Sequence, residues 1–440
     1  MRPHVALPSR VDMRIALGLI LLPFFLVFIG DVQVPIGAST MTVPTGLFII
    51  LPLLGASIML PRITVPTSAL LLSGMIFFGA VGVAMTPEGE YMRAAAGVLP
   101  VVYAICTLIF YAQVYQFIKQ EWIVRMMLAG GAVLAIGVVL LFFVAVFSPG
   151  DYYARKLFVA TPLGRSNYLA AFLVFLFALA SARMRVMRWL FAIAIFCTMS
   201  RGGVIIFALF LLALQMDRKR LLWLVWVVPL VAFVSAILIF SIDIQNQLRE
   251  YDGLFANELS SVVNRLLLWS FSFDLWLQHP WVGIGPNTFR TFIELNHGIE
   301  DVWGTHNSIL QLLLNYGLFG AILYGWYLRV IYRHLLRAEQ TTPWFRYLRV
   351  VFVVLLVFSL FEPLVGSAAF EVLLALMLVL ALTHALPAGS GRLIIIAISC
   401  SENGNIALRC DSHAQSLEVC DSCGSFHSGH RGSQPGTGCQ

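Results

Sequence analysis

Charge is what this chain has least of. Only 11% of its 440 residues are Lys, Arg, Asp or Glu, while 60% are hydrophobic and the mean hydropathy is +0.87. Soluble domains carry roughly a quarter charged residues, so this composition excludes the globular class. Short alternating apolar–polar segments are also missing, which excludes a membrane β-barrel and leaves helices to satisfy the backbone in lipid. No Walker loop, dinucleotide fingerprint, His-Glu-x-x-His zinc motif or nucleophile elbow occurs. GIGPNTF (283–289) contains Gly-x-Gly, but no buried-strand signal precedes it and no helix signal follows. No outward Asp-x-Asp pair is present to hold a metal–diphosphate, and no metal or other cofactor is expected. Basic patches with interleaved aromatics are absent, which excludes a nucleic-acid partner; the net charge of +6 instead fits a positive-inside bias. The expected outer loops contain no cysteine, so no disulfide framework is implied. Cys106 and Cys197 lie in apolar runs, and the other five of seven cysteines fall after residue 399.

What the chain has in abundance is apolar runs of the length a bilayer demands, about 20 residues per helix. They read as twelve spans: 14–30, 44–60, 66–85, 94–116, 124–147, 166–182, 189–200, 202–216, 221–242, 306–328, 350–368 and 370–386. Arg2, Arg10 and Arg14 precede the first run without an Ala-x-Ala cleavage site, so that run reads as a retained span with its N-terminus inside. Up to residue 349 this threading puts seventeen Lys and Arg inside and eight outside, with RMRVMR (183–188), DRKR (217–220) and RYLR (346–349) all inside. The domain plan is therefore spans one to nine in 1–242, an outer loop with amphipathic helices in 243–304, spans ten to twelve in 305–386, and a cytoplasmic tail in 387–440. The tail is rich in Ser, Gly and Cys and lacks apolar periodicity, so disorder is the expectation; Cys420, Cys423, His427 and His430 are too cramped for a zinc knuckle.

Three residues stand out. The segment 189–216 is too short for two full spans, so it is either one long span or a hairpin turning near Ser200–Gly203. One span would place 217–220 outside and invert every later loop, which favours the hairpin and leaves Arg201 recessed below the outer surface in protein or a wet cavity. Arg265 sits on a helical stretch of the outer loop, where Trp269, Phe273 and Trp276 recur about once per turn as at a membrane interface. Two guanidinium forks near the outer boundary suit phosphate oxygens, although a structural cap for Arg201 and a solvated face for Arg265 are the plainer readings. His306 opens the run GTHNSILQLLLNYGLFG; with Thr305 as N-cap it falls in the first helical turn. There the helix dipole favours neutral imidazole and attracts an anion, as a general base beside a diphosphate requires. A polar boundary residue is the plainer alternative.

Together SRGG (200–203), NRLLLW (264–269), HPWVGIGPNTF (279–289) and HNSILQLLLNYGLFG (306–320) resemble, in order and topology, the O-antigen ligase and polymerase superfamily. The resemblance implies an all-α integral membrane fold of the GT-C-like, lipid-linked-sugar glycosyltransferase type, in the bacterial inner membrane with a periplasmic active site. It also implies a donor glycan on undecaprenyl diphosphate and metal-independent, inverting transfer. The family's two arginines fall on Arg201 and Arg265, with diphosphate-binding roles, and its histidine falls on His306, which activates the acceptor hydroxyl. A single large loop before His306 favours the ligase branch, which delivers O-antigen polysaccharide to the lipid A–core acceptor in lipopolysaccharide synthesis. A polymerase or other surface-polymer transferase is the alternative; protein O-oligosaccharyltransferases are related but carry longer C-terminal extensions. A non-catalytic transporter or lipid flippase also suits twelve spans, but no internal repeat supports it.

Overall fold

A computed structural model describes residues 31–36, 39–44, 47–58, 62–86, 91–114, 120–149, 152–160, 166–181, 184–217, 219–223, 254–297, 304–385, 394–400 and 406–411. The expected spans at 14–30 and 221–242 lie wholly or largely outside the described residues. So do Glu300, Asp301 and the Cys420–His430 cluster.

Helices dominate: α1 (Leu47–Ile58), α2 (Thr67–Ala84), α3 (Tyr91–Ala96), α4 (Leu99–Val114), α5 (Gln120–Phe147), α6 (Tyr152–Ala160), α7 (Ser166–Ser181), α8 (Arg185–Cys197), α9 (Arg201–Ala213), α10 (Leu254–Gln278), α11 (Phe289–His297), α12 (Ser308–Thr341), α13 (Phe345–Phe358) and α14 (Ala368–Ala385). Four stretches among the described residues are long and apolar enough to cross a membrane: Thr67–Ala84, Ala94–Ala112, Gln120–Phe147 and Ser308–Thr341. Shorter apolar helices accompany them at Ser166–Ser181, Val186–Cys197, Arg201–Ala213 and Ala368–Leu382. The molecule is an α-helical integral membrane protein.

Burial explains the arrangement. Every residue from Leu169 to Ala180 of α7 is buried, as is every one from Val372 to Ala381 of α14. A helix apolar on all sides needs neighbours on all sides. For α7 these include α5, α8, α9 and α13, and for α14 they include α4, α12 and α13. Outer helices instead turn large apolar side chains outward, among them Phe77, Val133, Leu140, Phe147, Trp189, Leu212 and Trp326. In water this would be an aggregation surface; in lipid it is the solvated face.

Small strands add to the helices, a feature the apolar pattern does not announce. β1 (Asp31–Ile36) pairs antiparallel with β2 (Ser39–Pro44). The tail, read from sequence as lacking order, supplies β4 (Ile394–Cys400) and β5 (Ile406–Asp411), with β4 lying antiparallel between β5 and β3 (Arg62–Val65). Ladder pairing across more than 300 residues of chain leaves no local periodicity to read.

The segment 189–216 is two helices. Met199, at φ 52°, turns the chain between them, and the Ser200 hydroxyl caps α9 by accepting from Gly203 N at 2.9 Å. At the other end of α9, Arg346 donates to the carbonyls of Leu214 (2.8 Å) and Met216 (3.4 Å).

One joint organises the other half of the bundle. α12 is broken at Gly317, where φ is 64° and ψ −170°. The break releases backbone groups of α12, and the segment after α10 takes them up. Ile284 N donates to Leu314 O at 2.7 Å, and Leu318 N donates to Pro280 O at 2.8 Å. The approach is so close that a Cβ on Gly317 would lie 2.2 Å from the Trp281 carbonyl oxygen, and one on Gly283 2.2 Å from that of Leu314. The WVGIG and NYG motifs are the two halves of this contact. Gly317→Ala is expected to destabilise the protein by at least about 2 kcal/mol, combining strained backbone with a backbone clash. Gly325→Ala, in the same helix with open space around its Cβ, serves as the control. Melting in detergent should separate the two; equal midpoints would refute the joint's role.

Candidate active site

The candidate site is built around the loop 359–367 that joins α13 to α14. The sequence places this stretch at the end of a span (350–368), but α13 stops at Phe358. The difference has a physical cause: SLFEPLVGS contains Pro363, which has no amide to donate and disfavours helix in Glu362 before it.

Arg265, on α10, reaches this loop. Its guanidinium donates to Glu362 Oε1 at 3.1 Å and to the Phe361 carbonyl at 3.4 Å, with 35% of the arginine side chain exposed. One side of the fork is thus fixed while the group stays open to solvent. Ser308, the first residue of α12, also binds the loop. It donates through Oγ to Glu362 O (3.0 Å), accepts at Oγ from Val365 N (3.1 Å), and gives its own amide to Ser359 O (2.8 Å).

His306 lies two residues before Ser308. Thr305 does not cap the helix as the sequence suggests; Asn307 does, its Oδ1 accepting from Ile309 N (2.9 Å) and Leu310 N (3.1 Å). Thr305 Oγ1 instead donates to Asn307 O at 2.7 Å and accepts from Asn307 N at 3.2 Å. Asn at the cap competes well with Thr, and the Thr305 contacts fold the chain before it. His306 therefore stands just outside the helix, half-buried, in the left-handed region at φ 51°. Such a conformation costs on the order of 1 kcal/mol in a residue other than glycine and collects at functional positions.

Arg201 is the first residue of α9 and is exposed, not packed in protein. Its surroundings connect to the same loop. Ser200 Oγ donates to Asn167 Oδ1 at 2.6 Å, and the neighbouring Tyr168 hydroxyl donates to Pro363 O at 3.0 Å. Position 202 faces the Phe358 ring, 2.8 Å from where a Cβ would stand. Arg265 and Ser308, two residues after His306, thus meet on one loop, with Arg201 at the start of a helix whose neighbour α7 also bonds that loop.

Four helices, α7, α9, α12 and α14, begin at this end of the bundle. Helix starts carry positive dipole ends, which with Arg201 and Arg265 give this end of the bundle the charge that favours an anion. Among the described residues no group of three or more His, Cys, Asp or Glu could hold a metal ion. Sequence reasoning missed Glu362, Ser308, Asn167 and Tyr168. A carboxylate beside a span was the available signal for Glu362; for the others only the fold reveals the partner.

Fold and site define a polytopic helical membrane protein with two arginines and several helix starts gathered toward one end of its bundle. Residues 186–325, about a third of the chain, match the family model described as O-antigen ligase. No curated protein matches it. The matched stretch contains Arg201, Arg265 and His306, whereas Glu362 lies beyond it. Ser308→Ala would leave the Val365 amide without its acceptor and Glu362 O without a donor, a loss of about 1–3 kcal/mol that a detergent melting curve should register.

Proposed function

We propose that this protein is an O-antigen ligase, a glycosyltransferase that moves O-antigen polysaccharide from undecaprenyl diphosphate to the lipid A–core oligosaccharide at the periplasmic face of the bacterial inner membrane. The observation that carries this reading is the meeting of Arg265 and the His306 segment, both from the stretch that matches the ligase family, on the 359–367 loop.

In this reading the donor diphosphate sits at the helix starts, with Arg201 and Arg265 on its oxygens. Glu362 holds Arg265 so that part of its fork remains free to bind phosphate. His306 accepts the proton of the acceptor hydroxyl as that oxygen attacks the anomeric carbon. The bond from that carbon to the diphosphate breaks, undecaprenyl diphosphate leaves, and attack from the opposite side inverts the centre. The arginines stabilise charge growing on the leaving group, the task a metal performs elsewhere.

Arg201→Ala, Arg265→Ala and His306→Ala are each expected to abolish transfer by about two orders of magnitude or more while leaving membrane insertion intact. The assay gives purified protein undecaprenyl-diphosphate O-antigen and rough lipopolysaccharide in detergent with EDTA. A ladder on the lipid A–core supports the ligase. Growth of the chain on the carrier lipid alone favours a polymerase, and no turnover with either acceptor returns the transporter reading.

A further inference from the structure

Behind the 359–367 loop lies a carboxylate that the proposed transfer step does not use. Glu371, in the first turn of α14, is fully buried. Its Oε1 accepts from the Tyr324 hydroxyl at 2.7 Å and from the Gly366 amide at 3.0 Å. Tyr324 is itself buried and belongs to the part of α12 beyond the Gly317 break. Glu371 also lines a small cavity with Gln311, Asn315, Tyr316, Tyr324 and Gly366. From there side-chain hydrogen bonds lead back to the His306 segment: Gln311 donates to Asn315 Oδ1 at 2.9 Å, and Gln311 Oε1 accepts from Thr305 N at 3.1 Å.

The loop's amides show what this carboxylate does. Leu360, Phe361 and Glu362 donate to carbonyls of α13, while Leu364 and Ser367 donate to carbonyls of the loop itself. Pro363 has no amide. Only the consecutive amides of Val365 and Gly366 go to side chains from outside, to Ser308 and Glu371 respectively. These two bonds pin the loop to the two halves of α12, Ser308 before the break and Tyr324, through Glu371, after it. The pinned loop carries Glu362 and the Phe361 carbonyl, the two acceptors that orient Arg265.

We propose that Glu371 is a positioning residue for glycan transfer: through Tyr324 and Gly366 it holds the loop that aims Arg265 at the donor diphosphate. The proposal rests on the ligase reading for its substrate and on hydrogen-bond geometry alone for the latch. What the latch requires is an acceptor oxygen at Oε1, which glutamine also supplies and leucine does not.

The test compares Glu371→Leu, Glu371→Gln and Tyr324→Phe in the full-length protein, using steady-state kinetics and amide hydrogen exchange. Glu371→Leu is expected to raise KM for the lipid-linked donor about tenfold, with kcat and the acceptor KM changing little, because a buried hydrogen-bonded clamp is lost. Glu371→Gln should restore the donor KM, and Tyr324→Phe should shift it in the same direction as Leu but less. Exchange at Val365 and Gly366 should speed up by about an order of magnitude in the Leu variant and stay near wild type in the Gln variant. If Gln is as damaging as Leu, the carboxylate acts by charge or proton and the positioning role is wrong. A uniform fall in kcat with unchanged donor KM, or unchanged exchange at 365–366, overturns it too. Should Glu371→Leu fail to insert, Tyr324→Phe decides by the same donor KM and exchange readouts. Wild-type protein inactive on every lipid-linked donor sinks the ligase reading, while the exchange result still judges the latch.

Discussion

In a bilayer no water stands ready to bond a backbone amide, so an irregular segment at the end of a span persists only if protein answers each of its N–H groups. The 359–367 loop is where this protein meets that demand. Its amides are all engaged, two of them by side chains from Ser308 and Glu371. Because these partners come from α12 and α14, satisfying the loop also fixes where those helices begin. The starts of α7 and α9 are drawn in through Tyr168 and Ser200. The charged groups are then arranged on a scaffold whose first requirement was to leave nothing unbonded.

The same rule explains the second irregularity. A helix broken in mid-course at Gly317 has donors and acceptors to dispose of, and the turn 280–284 receives them. The loop's anchor Ser308 and the break at Gly317 lie on the same helix, nine residues apart, and Gln311, Asn315 and Tyr316 occupy the turns between them. The segment before the N-cap, which carries His306, is tied into this stretch by the bond from Thr305 N to Gln311.

Much of this was legible from the chain alone, and unevenly so. Membrane class follows from apolar excess, which no local detail can reverse. A turn near 200–203 was favoured over a single span because 189–216 lies between two basic clusters that belong on one side, and the structure turns the chain at Met199. Arg201, Arg265 and His306 were singled out because a charged or ionisable residue beside a span is costly, and motif order supported the choice. The Asn307 cap was missed because Thr305 and Asn307 are both competent caps and only backbone geometry selects one. Glu362 was out of reach for a different reason: its partner Arg265 is 97 positions away, and nothing in either neighbourhood encodes the pairing. Strand β3 likewise meets the tail only through folding.

The shortness of α9 has a consequence for the lipid. Thirteen residues make a helix about 20 Å long, against a hydrocarbon thickness near 30 Å. Its partner α13 has 14 residues, and α9 turns Val204, Ile205, Leu211 and Leu212 outward. Bilayer thinning is one way a face this short is matched, and it would lower the membrane surface toward Arg201 at the start of α9. On the proposed ligase reading, a polyprenyl carrier entering such a thinned zone would bring its headgroup down to Arg201 without leaving the bilayer, and membrane thickness would become part of how readily the protein is supplied.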